Sequence, residues 1–178
     1  RIDPATATVT ATTTVGGQPR GLAVGDDAVW VTDRVGGQVL RLDPDTAEVV
    51  DRVGTGADPV AVAVDEEHDV VWVLNRGAGT VSRVDPATGR SQATRAGPLP
   101  GPLAVGAGRV WVAGGATPSV SVVDPATGVA RTAAVGEAPT ALAVVAAPDG
   151  SGRAVVADSG SRSVTVVTAG PLGTGSPS

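Results

Sequence analysis

Four copies of one phrase, spaced 39 to 42 residues apart, run along this chain of 178 residues. Each copy contains a proline, a Leu/Val-Ala-Val run and a valine-rich segment, and three copies contain Val-Trp-Val. The prolines are Pro19, Pro59, Pro100 and Pro139, and Asp-Pro-x-Thr turns open at Asp3, Asp43, Asp85 and Asp124. A period of this length is typical of stacked supersecondary units rather than of an enzyme built around one unique core.

Each copy contains four short runs with the alternation or β-branched content of β-strands, separated by turn residues, and no run has a helical period. We name these strands A (the Leu/Val-Ala-Val run), B (the Val-Trp-Val run), C (the valine-rich run) and D (the polar run after Asp-Pro-x-Thr). Strand A is predicted at Gly21–Val24, Val60–Val64, Pro102–Val105 and Ala141–Val144. Strand D is predicted at Ala7–Val15, Ala47–Val53, about Arg90–Ala96 and Val129–Val135.

The polar content of strand D indicates a solvated outer edge. Pro102 lies within strand A, which predicts that strand A is the opposite edge, since an interior strand would lose a ladder donor at proline. Four antiparallel strands per copy, repeated radially, predict an all-β fold, the β-propeller of four-stranded blades. We expect Trp30, Trp72 and Trp111 to pack between neighbouring sheets. In the Asp-Pro-x-Thr turns, the aspartate should cap backbone N–H groups, and Gly89 or Gly128 should supply the left-handed position.

One propeller domain is predicted over residues 1–168, followed by a linker or C-terminal tail over 169–178. If Ala7–Val15 pairs with Ser163–Val167, the N-terminal strand completes the last blade and closes a four-bladed ring. The alternative is a slice of a six- or seven-bladed propeller. It is favoured by Arg1-Ile2-Asp3, which matches Arg41-Leu42-Asp43 and is the end of a further strand C.

The formal charge of −5 is spread evenly, so neither nucleic acid nor an anionic membrane is expected as a partner. The absence of cysteine excludes disulfides, a thiol nucleophile and thiolate metal ligands. No run of 18 apolar residues is present, so this segment is not expected to insert into a membrane. All 13 basic residues are arginine, which indicates GC-rich coding DNA and favours an actinobacterial or similar bacterial source.

The stretch VWVTDRVGGQVLRLDPDTAEVVDRVGTGADPVAVAV (Val29–Val64) resembles the YVTN-type propeller repeat. Trp30-Val31-Thr32-Asp33 stands where that family has Tyr-Val-Thr-Asn, and Trp72-Val73-Leu74-Asn75 is closer still. The resemblance covers Arg1 to about Thr168. It implies a relative of lactonase-like and quinoprotein-like bacterial propellers that is secreted or displayed at the cell surface, in some cases as a sensor domain of a membrane kinase.

The loops between strands D and A and between strands B and C form the face on which propellers usually meet their ligands. The candidate ligand-binding residues on these loops are Arg20, Asp33, Arg34, Asn75, Arg76, Asp158 and Arg162. Guanidinium groups there would hold a carboxylate, a phosphate or a sugar through paired hydrogen bonds. The alternative is that Asp33 with Arg34, and Asp158 with Arg162, form solvated surface pairs that contribute little.

No catalytic residue, metal ligand or cofactor is predicted. The single histidine, His68, lies in an acidic turn between strands A and B, and the starts of strand A offer Arg20, Val60, Gly101 and Thr140, none of which is a base at neutral pH. We therefore expect a non-catalytic module that binds a protein, small-molecule or carbohydrate ligand or acts as a scaffold. The alternatives are a lactonase-like hydrolase or lyase whose site is incomplete in this sequence, and a purely structural repeat array.

Overall fold

The computed structural model describes residues 1–97, 100–114, 117–125, 127–149 and 151–170, and every regular element in them is a β-strand. In these ranges, no helix has the length and hydropathy that crossing a membrane requires. By its contacts, the chain divides into two compact units. The first comprises Arg1–Gly77 and Ser82–Ala93, and the second comprises Ala78–Val81 and Thr94–Ser178.

The N-terminus forms a two-stranded antiparallel sheet from β1 (Ile2–Asp3) and β2 (Thr8–Val9), with Ile2 opposite Val9. These strands hold the positions of C and D in the repeat. The strand predicted over Ala7–Val15 is therefore much shorter than expected, and β2 pairs with the chain that precedes it.

Local hydrogen bonds explain this correction. The Asp3 carboxylate accepts a bond from the Ala5 N–H at 2.8 Å, which closes the turn between β1 and β2. The Arg1 amino group donates to the carbonyl of Ala11 at 2.7 Å, and the Thr10 N–H donates to the carbonyl of Arg1 at 2.9 Å. These bonds hold the segment against residues 1–3, so β2 pairs within the hairpin.

Two four-stranded antiparallel sheets follow, each in the order of the chain. The first sheet consists of β3 (Pro19–Val24), β4 (Val29–Asp33), β5 (Gln38–Leu42) and β6 (Val49–Gly54). The second consists of β7 (Pro59–Asp65), β8 (Val70–Asn75), β9 (Thr80–Val84) and β10 (Ser91–Arg95). Each sheet is one copy of the repeat, so the predicted strands A to D are confirmed as a meander.

The third sheet also has four strands, and the last has three among the described residues. The third consists of β11 (Pro100–Gly106), β12 (Arg109–Gly114), β13 (Ser119–Val123) and β14 (Ala130–Ala134). The last consists of β15 (Pro139–Ala146), β16 (Gly152–Asp158) and β17 (Ser163–Ala169). Closure of a four-bladed ring by the N-terminal strand stays a prediction. Most of the predicted tail, from residue 171, lies outside the described residues.

Strand A is an edge strand in every sheet, as the position of Pro102 predicted. It is longer than predicted, because each copy begins at the repeated proline and reaches strand B through a shift in register. In the third sheet this shift lies between Pro100 and Leu103. An edge position tolerates the prolines, since their missing N–H groups are not needed for a second ladder.

The prediction that the tryptophans form the core is confirmed. Trp30, Trp72 and Trp111 all lie in strand B, the second strand of each sheet, and are 3%, 1% and 0% exposed. The apolar clusters around Trp30 and Trp111 include residues of the following sheet, Val73 in the first unit and Val156 in the second. Trp30 and Trp111 therefore join consecutive sheets within their units.

The Asp-Pro-x-Thr turns have the predicted mechanism. The Asp85 carboxylate accepts bonds from the N–H groups of Ala87 at 2.9 Å and Thr88 at 3.0 Å. Gly89 follows with a φ of 65°, and Gly128 takes the same conformation in the third copy. In the first copy Ala47 occupies this position at a φ of 62°. The turn is thus specified by the aspartate even where glycine is absent.

Replacing Asp85 by alanine is expected to lower the melting temperature by about 1–3 °C. Bonds from the Thr88 backbone, the Thr88 hydroxyl and the Ala87 N–H lower the pKa of Asp85. A lowered pKa contributes stability that is present above the unfolded pKa of about 3.9 and is lost as pH falls through the folded value. Thermal melts from pH 7 to pH 2.5 should therefore show the two proteins converging below about pH 4.

The matched control for this prediction is Asp85→Asn, which retains an oxygen acceptor for the turn. We expect its melting temperature to lie between those of the other two proteins at pH 7. A difference between Asp85→Ala and the unsubstituted protein that grows as pH falls would contradict the assignment.

Candidate functional site

One backbone contact recurs between the loop that precedes strand A and the loop that follows strand B. In each case, the residue after strand B donates its N–H to the carbonyl of the residue before the repeated proline. The bonds are Arg34 to Gln18 at 3.0 Å, Arg76 to Asp58 at 2.8 Å and Ser159 to Ala138 at 3.0 Å. These contacts bring together the two loops that the sequence predicted would form the ligand face.

Asp33, at the end of β4, is buried beneath this contact in the first sheet. Its Oδ1 accepts bonds from the N–H groups of Gln18 at 3.0 Å and Gly36 at 3.1 Å, and its Oδ2 accepts a bond from the Gln38 side chain at 3.0 Å. A Cβ atom at Gly17 would overlap the carboxylate, and Gly17 has a φ of 50°, so both space and backbone require glycine there. Asp33 therefore holds the two loops together.

The hydrogen bonds to Asp33 also stabilise its charge. The amide of Gln38 lowers the pKa of this carboxyl most, and the N–H groups of Gly36 and Gln18 lower it further against the opposing effect of burial. A carboxylate that accepts several bonds is stabilised in its ionised form. Asp33 is accordingly an ionised structural acceptor at neutral pH.

Equivalent positions in the other copies carry the same kind of polar residue. Asn75, at the end of β8, donates from Nδ2 to the Ser82 hydroxyl at 2.8 Å, and that hydroxyl donates to the carbonyl of Thr55 at 3.1 Å. Asp158, at the end of β16, accepts a bond from the Thr165 hydroxyl at 2.6 Å through Oδ2. Its Oδ1 is buried and has no hydrogen-bond partner among the described residues.

Three candidates are thus buried structural residues: Asp33, Asn75 and Asp158. The alternative that Asp33 pairs with Arg34, and Asp158 with Arg162, in solvated surface pairs is wrong for the two aspartates. Both oxygens of Asp33 accept hydrogen bonds, from backbone N–H groups and the Gln38 amide, whereas only Oδ2 of Asp158 accepts a bond, from the Thr165 hydroxyl. Their role as direct ligand contacts stays a prediction.

Arg34 and Arg76 are exposed and both contact Asp58. The Nε atom of Arg34 lies 2.5 Å from Asp58 Oδ1, in an ion pair whose side chains are 51% and 27% exposed. The Arg34 guanidinium also donates to the Gln18 side chain at 3.4 Å. Arg76 contacts Asp58 through the backbone alone, by the bond from its N–H to the Asp58 carbonyl. The structure therefore brings Arg34 and Arg76 to the same residue, with the guanidinium of Arg34 on the carboxylate.

The remaining candidates occupy different surroundings. Arg20 lies in β3 and is exposed. Arg162 is exposed in the turn before β17, with a φ of 55°, at the repeat position that Gly37 and Gly79 hold with φ of 63° and 65°. Backbone conformation, rather than a contact with Asp158, distinguishes Arg162.

His68 lies in the turn between β7 and β8, as predicted, and its Nδ1 is 3.0 Å from Asp65 Oδ1. Asp65 is buried at the end of β7. In the described part of the chain, no group of three or more His, Cys, Asp or Glu side chains is arranged to hold a metal ion.

Sequence reasoning missed Asp58 as a member of the loop surface. Asp58 immediately precedes the repeated proline and has a φ of 56°, a conformation that aspartate tolerates better than most residues. The residue before the repeated proline varies among the copies, and it is Gln18, Asp58 and Ala138 in three of them. This variation was the signal in the sequence that pointed to Asp58. A charged residue at the variable position of a repeated loop is a candidate for function.

No protein-family model and no curated protein matches the sequence, whereas many solved structures match the fold. Hydrazine synthase of Kuenenia stuttgartiensis is 22% identical with a TM-score of 0.74, over 89% of this chain and 48% of that one. A catalytically inactive virginiamycin B lyase of Staphylococcus aureus, with quinupristin, is 12% identical with a TM-score of 0.63, over 92% and 59%. The chain thus spans about half the length of these two proteins.

The computationally designed Ika4 protein is 16% identical to the chain, with a TM-score of 0.69 over 90% of this chain and 96% of that one. TM-scores of this size establish a shared fold, and the low identities leave activity open. Together with the four-stranded antiparallel sheets, each in chain order, these neighbours show that the protein has the β-propeller fold.

Proposed function

We propose that the chain is a non-catalytic propeller module that binds the anionic group of a protein, small-molecule or carbohydrate ligand through Arg34 and Arg76. The observation that carries the proposal is the ion pair of the exposed Arg34 guanidinium with Asp58, together with the backbone bond that holds the exposed Arg76 to the same residue. Guanidinium groups recognise carboxylates and phosphates through paired N–H donors. Asp58 holds Arg34 in place until a ligand anion replaces it.

The role of the buried acidic residues supports a binding function over catalysis. Asp33 is engaged by three donors, and Asp158 lies under the loop contact of its own sheet. A general base must reach the proton that it removes, and neither carboxylate lies at the surface. The surface that remains for recognition is cationic and polar.

A secreted or surface-displayed location belongs to the same proposal and rests on the resemblance of Val29–Val64 to YVTN-type repeats. A sensor or surface-layer role fits such a location, since a module outside the cell meets carboxylated or phosphorylated ligands directly. Detection of the protein in the cytoplasm alone would contradict this part.

A lyase or hydrolase is the second candidate, favoured by the shared fold of the Staphylococcus aureus lyase. The chain spans 59% of that protein, so residues outside this sequence would have to complete a site. The histidine in this sequence is engaged with Asp65 in a turn. Turnover of a lactone or of a streptogramin by the purified chain would establish this candidate and overturn the non-catalytic proposal.

Titration with citrate and with inorganic phosphate tests anion binding directly. Two-dimensional NMR of the ¹⁵N-labelled chain resolves arginine Nε–H signals and backbone amides. We expect the Nε–H signal of Arg34 and the backbone amides of Arg34 and Arg76 to shift with one binding constant. The exposed Arg131 serves as the internal control and should not shift with that constant.

Two substitutions sharpen the test. Asp58→Asn removes the competing charge and tolerates the left-handed backbone, so we expect it to tighten citrate binding by about two- to fivefold. Arg34→Ala should abolish the saturable shift at Arg76. Equal shifts at all arginines, or unchanged binding in Arg34→Ala, would contradict the proposal.

A further inference from the structure

Equivalent positions of the repeat differ sharply in exposure between the first three copies and the last copy. Val39, Val81 and Val120 occupy one position of strand C and are fully buried, whereas Val164, at the same position of β17, is 65% exposed. At the tryptophan position of strand B, the last copy has Val155, which is 37% exposed. The repeat therefore presents in its last copy a surface that is core in the first three.

Packing within each unit shows what covers this surface elsewhere. We call the side of a sheet that carries the strand B tryptophan its rear face, and the opposite side its front face. In the first unit, Trp30 and Val39 of a rear face form one cluster with front-face residues of the next sheet, among them Val73 and Val84. In the second unit, Trp111 and Val120 do the same with Val156.

Among the described residues, the rear face of the last sheet has no such cover. Its apolar side chains are well exposed, and they come from all three strands of the sheet: Val145, Val155, Val164 and Val166. Contiguous apolar surface of this kind is rare on soluble proteins unless it contacts a partner.

The front face of the first sheet also has exposed apolar side chains, and it is the kind of face on which a rear face packs elsewhere in the chain. Leu22 and Val24 are 64% and 68% exposed, although their counterparts Val62 and Val64 pack against the preceding sheet. A groove of about 630 Å³ runs along this face, lined by Leu22, Val24, Val31 and Leu42 and by Ile2 and Val9 of the N-terminal hairpin. The first unit thus offers the surface on which a rear face normally packs.

The strands at the two ends are complementary as well. The last sheet contains A, B and C but no D among the described residues, and the N-terminal hairpin contains C and D without A and B. Strand C of that hairpin is β1, which pairs with β2 at only two positions. A longer strand C such as β17, of seven residues, would offer the segment from β2 onwards more ladder bonds than the two-residue β1, in exchange for the bonds that Arg1 and Asp3 make.

We propose that a second copy of this chain docks its last sheet, β15 to β17, on the front face of the first sheet. Its rear-face valines cover Leu22 and Val24, and its strand β17 displaces β1 and pairs with the segment that begins at β2. In the reciprocal contact, the last sheet of the first copy docks on the front face of the first sheet of the second copy. Two copies joined in this way contain eight sheets of this kind, a number within the range of known propellers. This inference is independent of the proposed anion binding.

Light scattering after size exclusion tests the assembly. We expect a concentration-dependent species with twice the 17.3 kDa mass of one chain. Leu22→Arg and Val164→Arg should each give monomers, and both positions are exposed within one chain, so the variants retain their fold. Val35→Arg, at an exposed valine in the turn between β4 and β5, is the matched control and should remain dimeric.

Mixing the two variants tests the head-to-tail geometry. The mixture contains one intact front face and one intact rear face, so it should form a dimer through a single contact, about tenfold or more weaker than the doubly joined one. Hydrogen exchange provides a second readout, because amides of Ser163–Ala169 that point away from β16 should be protected only in the dimer.

Several results would overturn the inference. These are a wild-type chain that stays monomeric at millimolar concentration, a dimer that survives both arginine variants, and a mixture of the variants that does not associate. Polymers larger than a dimer would overturn the closed two-copy ring, since a head-to-tail contact that does not close produces filaments. Fast exchange throughout β17 in the dimer would overturn the strand pairing.

Discussion

Trp111→Ala is expected to reduce the free energy of unfolding by about 3–5 kcal/mol. Trp111 is fully buried in β12 and packs with Val120 and with Ala154 and Val156 of the next sheet. Removing the indole would open a cavity between two sheets that cannot both collapse into it, because each is held by its own hydrogen-bond ladder. Urea unfolding followed by circular dichroism measures the loss.

The fourth copy supplies a control for this prediction. Val155 holds the tryptophan position there and is 37% exposed, so Val155→Ala should cost less than about 1 kcal/mol. A similar loss in both variants would show that the tryptophan position does not act by joining consecutive sheets.

The indole N–H groups separate packing from hydrogen bonding. Nε1 of Trp111 donates to the carbonyl of Gly106 at 3.2 Å, whereas Nε1 of Trp72 is buried without an acceptor among the described residues. Replacement by phenylalanine removes a bond in the first case and an unsatisfied donor in the second. We expect Trp72→Phe to cost about 1 kcal/mol less than Trp111→Phe in the same urea assay.

Asp33→Ala is expected to cost about 1–3 kcal/mol, since it leaves the donors of Gln18, Gly36 and Gln38, whose bonds to Asp33 are partly buried, without their acceptor. Asp33→Asn should cost about 1 kcal/mol, because an oxygen remains but the charge that strengthens the bonds is lost. Chemical unfolding at pH 7 measures both.

Asp158→Asn is the matched comparison, and we expect it to leave stability unchanged or to raise it by up to about 1 kcal/mol. Asp158 has one buried oxygen without a partner among the described residues, and Asn75 fills the equivalent position by donating to Ser82. An amide at 158 would donate to Thr165 in the same way. Equal losses at 33 and 158 would contradict the distinction between the two carboxylates.

The lowered pKa of Asp33 adds a pH dependence with a definite sign. Its contribution to stability is present above the unfolded pKa of about 3.9 and is lost as pH falls through the lower folded value. The stability of Asp33→Asn should therefore fall less steeply below pH 4 than that of the unsubstituted chain. A parallel acid dependence in both proteins would remove Asp33 as a contributor.

The repeated phrase alone was enough to predict most strands, the buried tryptophans and the Asp-Pro-x-Thr turns. These features depend on interactions within about ten residues, such as Asp85 with Thr88, or on the alternation of side chains along one strand. Four copies of the pattern repeat the same information, so chance matches are easily recognised. Strand A was predicted too short because its first residues join strand B only after a register shift.

The roles of the loop residues were not predictable in this way. Asp33 resembles a surface partner for Arg34 in the sequence, yet it is buried because Gln18, fifteen residues earlier, folds over it. Arg34 then pairs with Asp58, which belongs to the next copy of the repeat. Such contacts depend on how two loops from different positions meet, and the sequence carries no local pattern for them.

By itself, the sequence determined the four-stranded antiparallel sheet of each blade. Period, alternation and turn chemistry are local properties, and they recur in every copy of the repeat. Only the tertiary structure decided which surfaces of the blades stay open. Val39 and Val164 are the same residue at the same repeat position, and one is core while the other is exposed, because burial depends on whether another sheet packs against the position. It likewise divided the candidate residues into buried acceptors and exposed cations, which the sequence presents as one cluster.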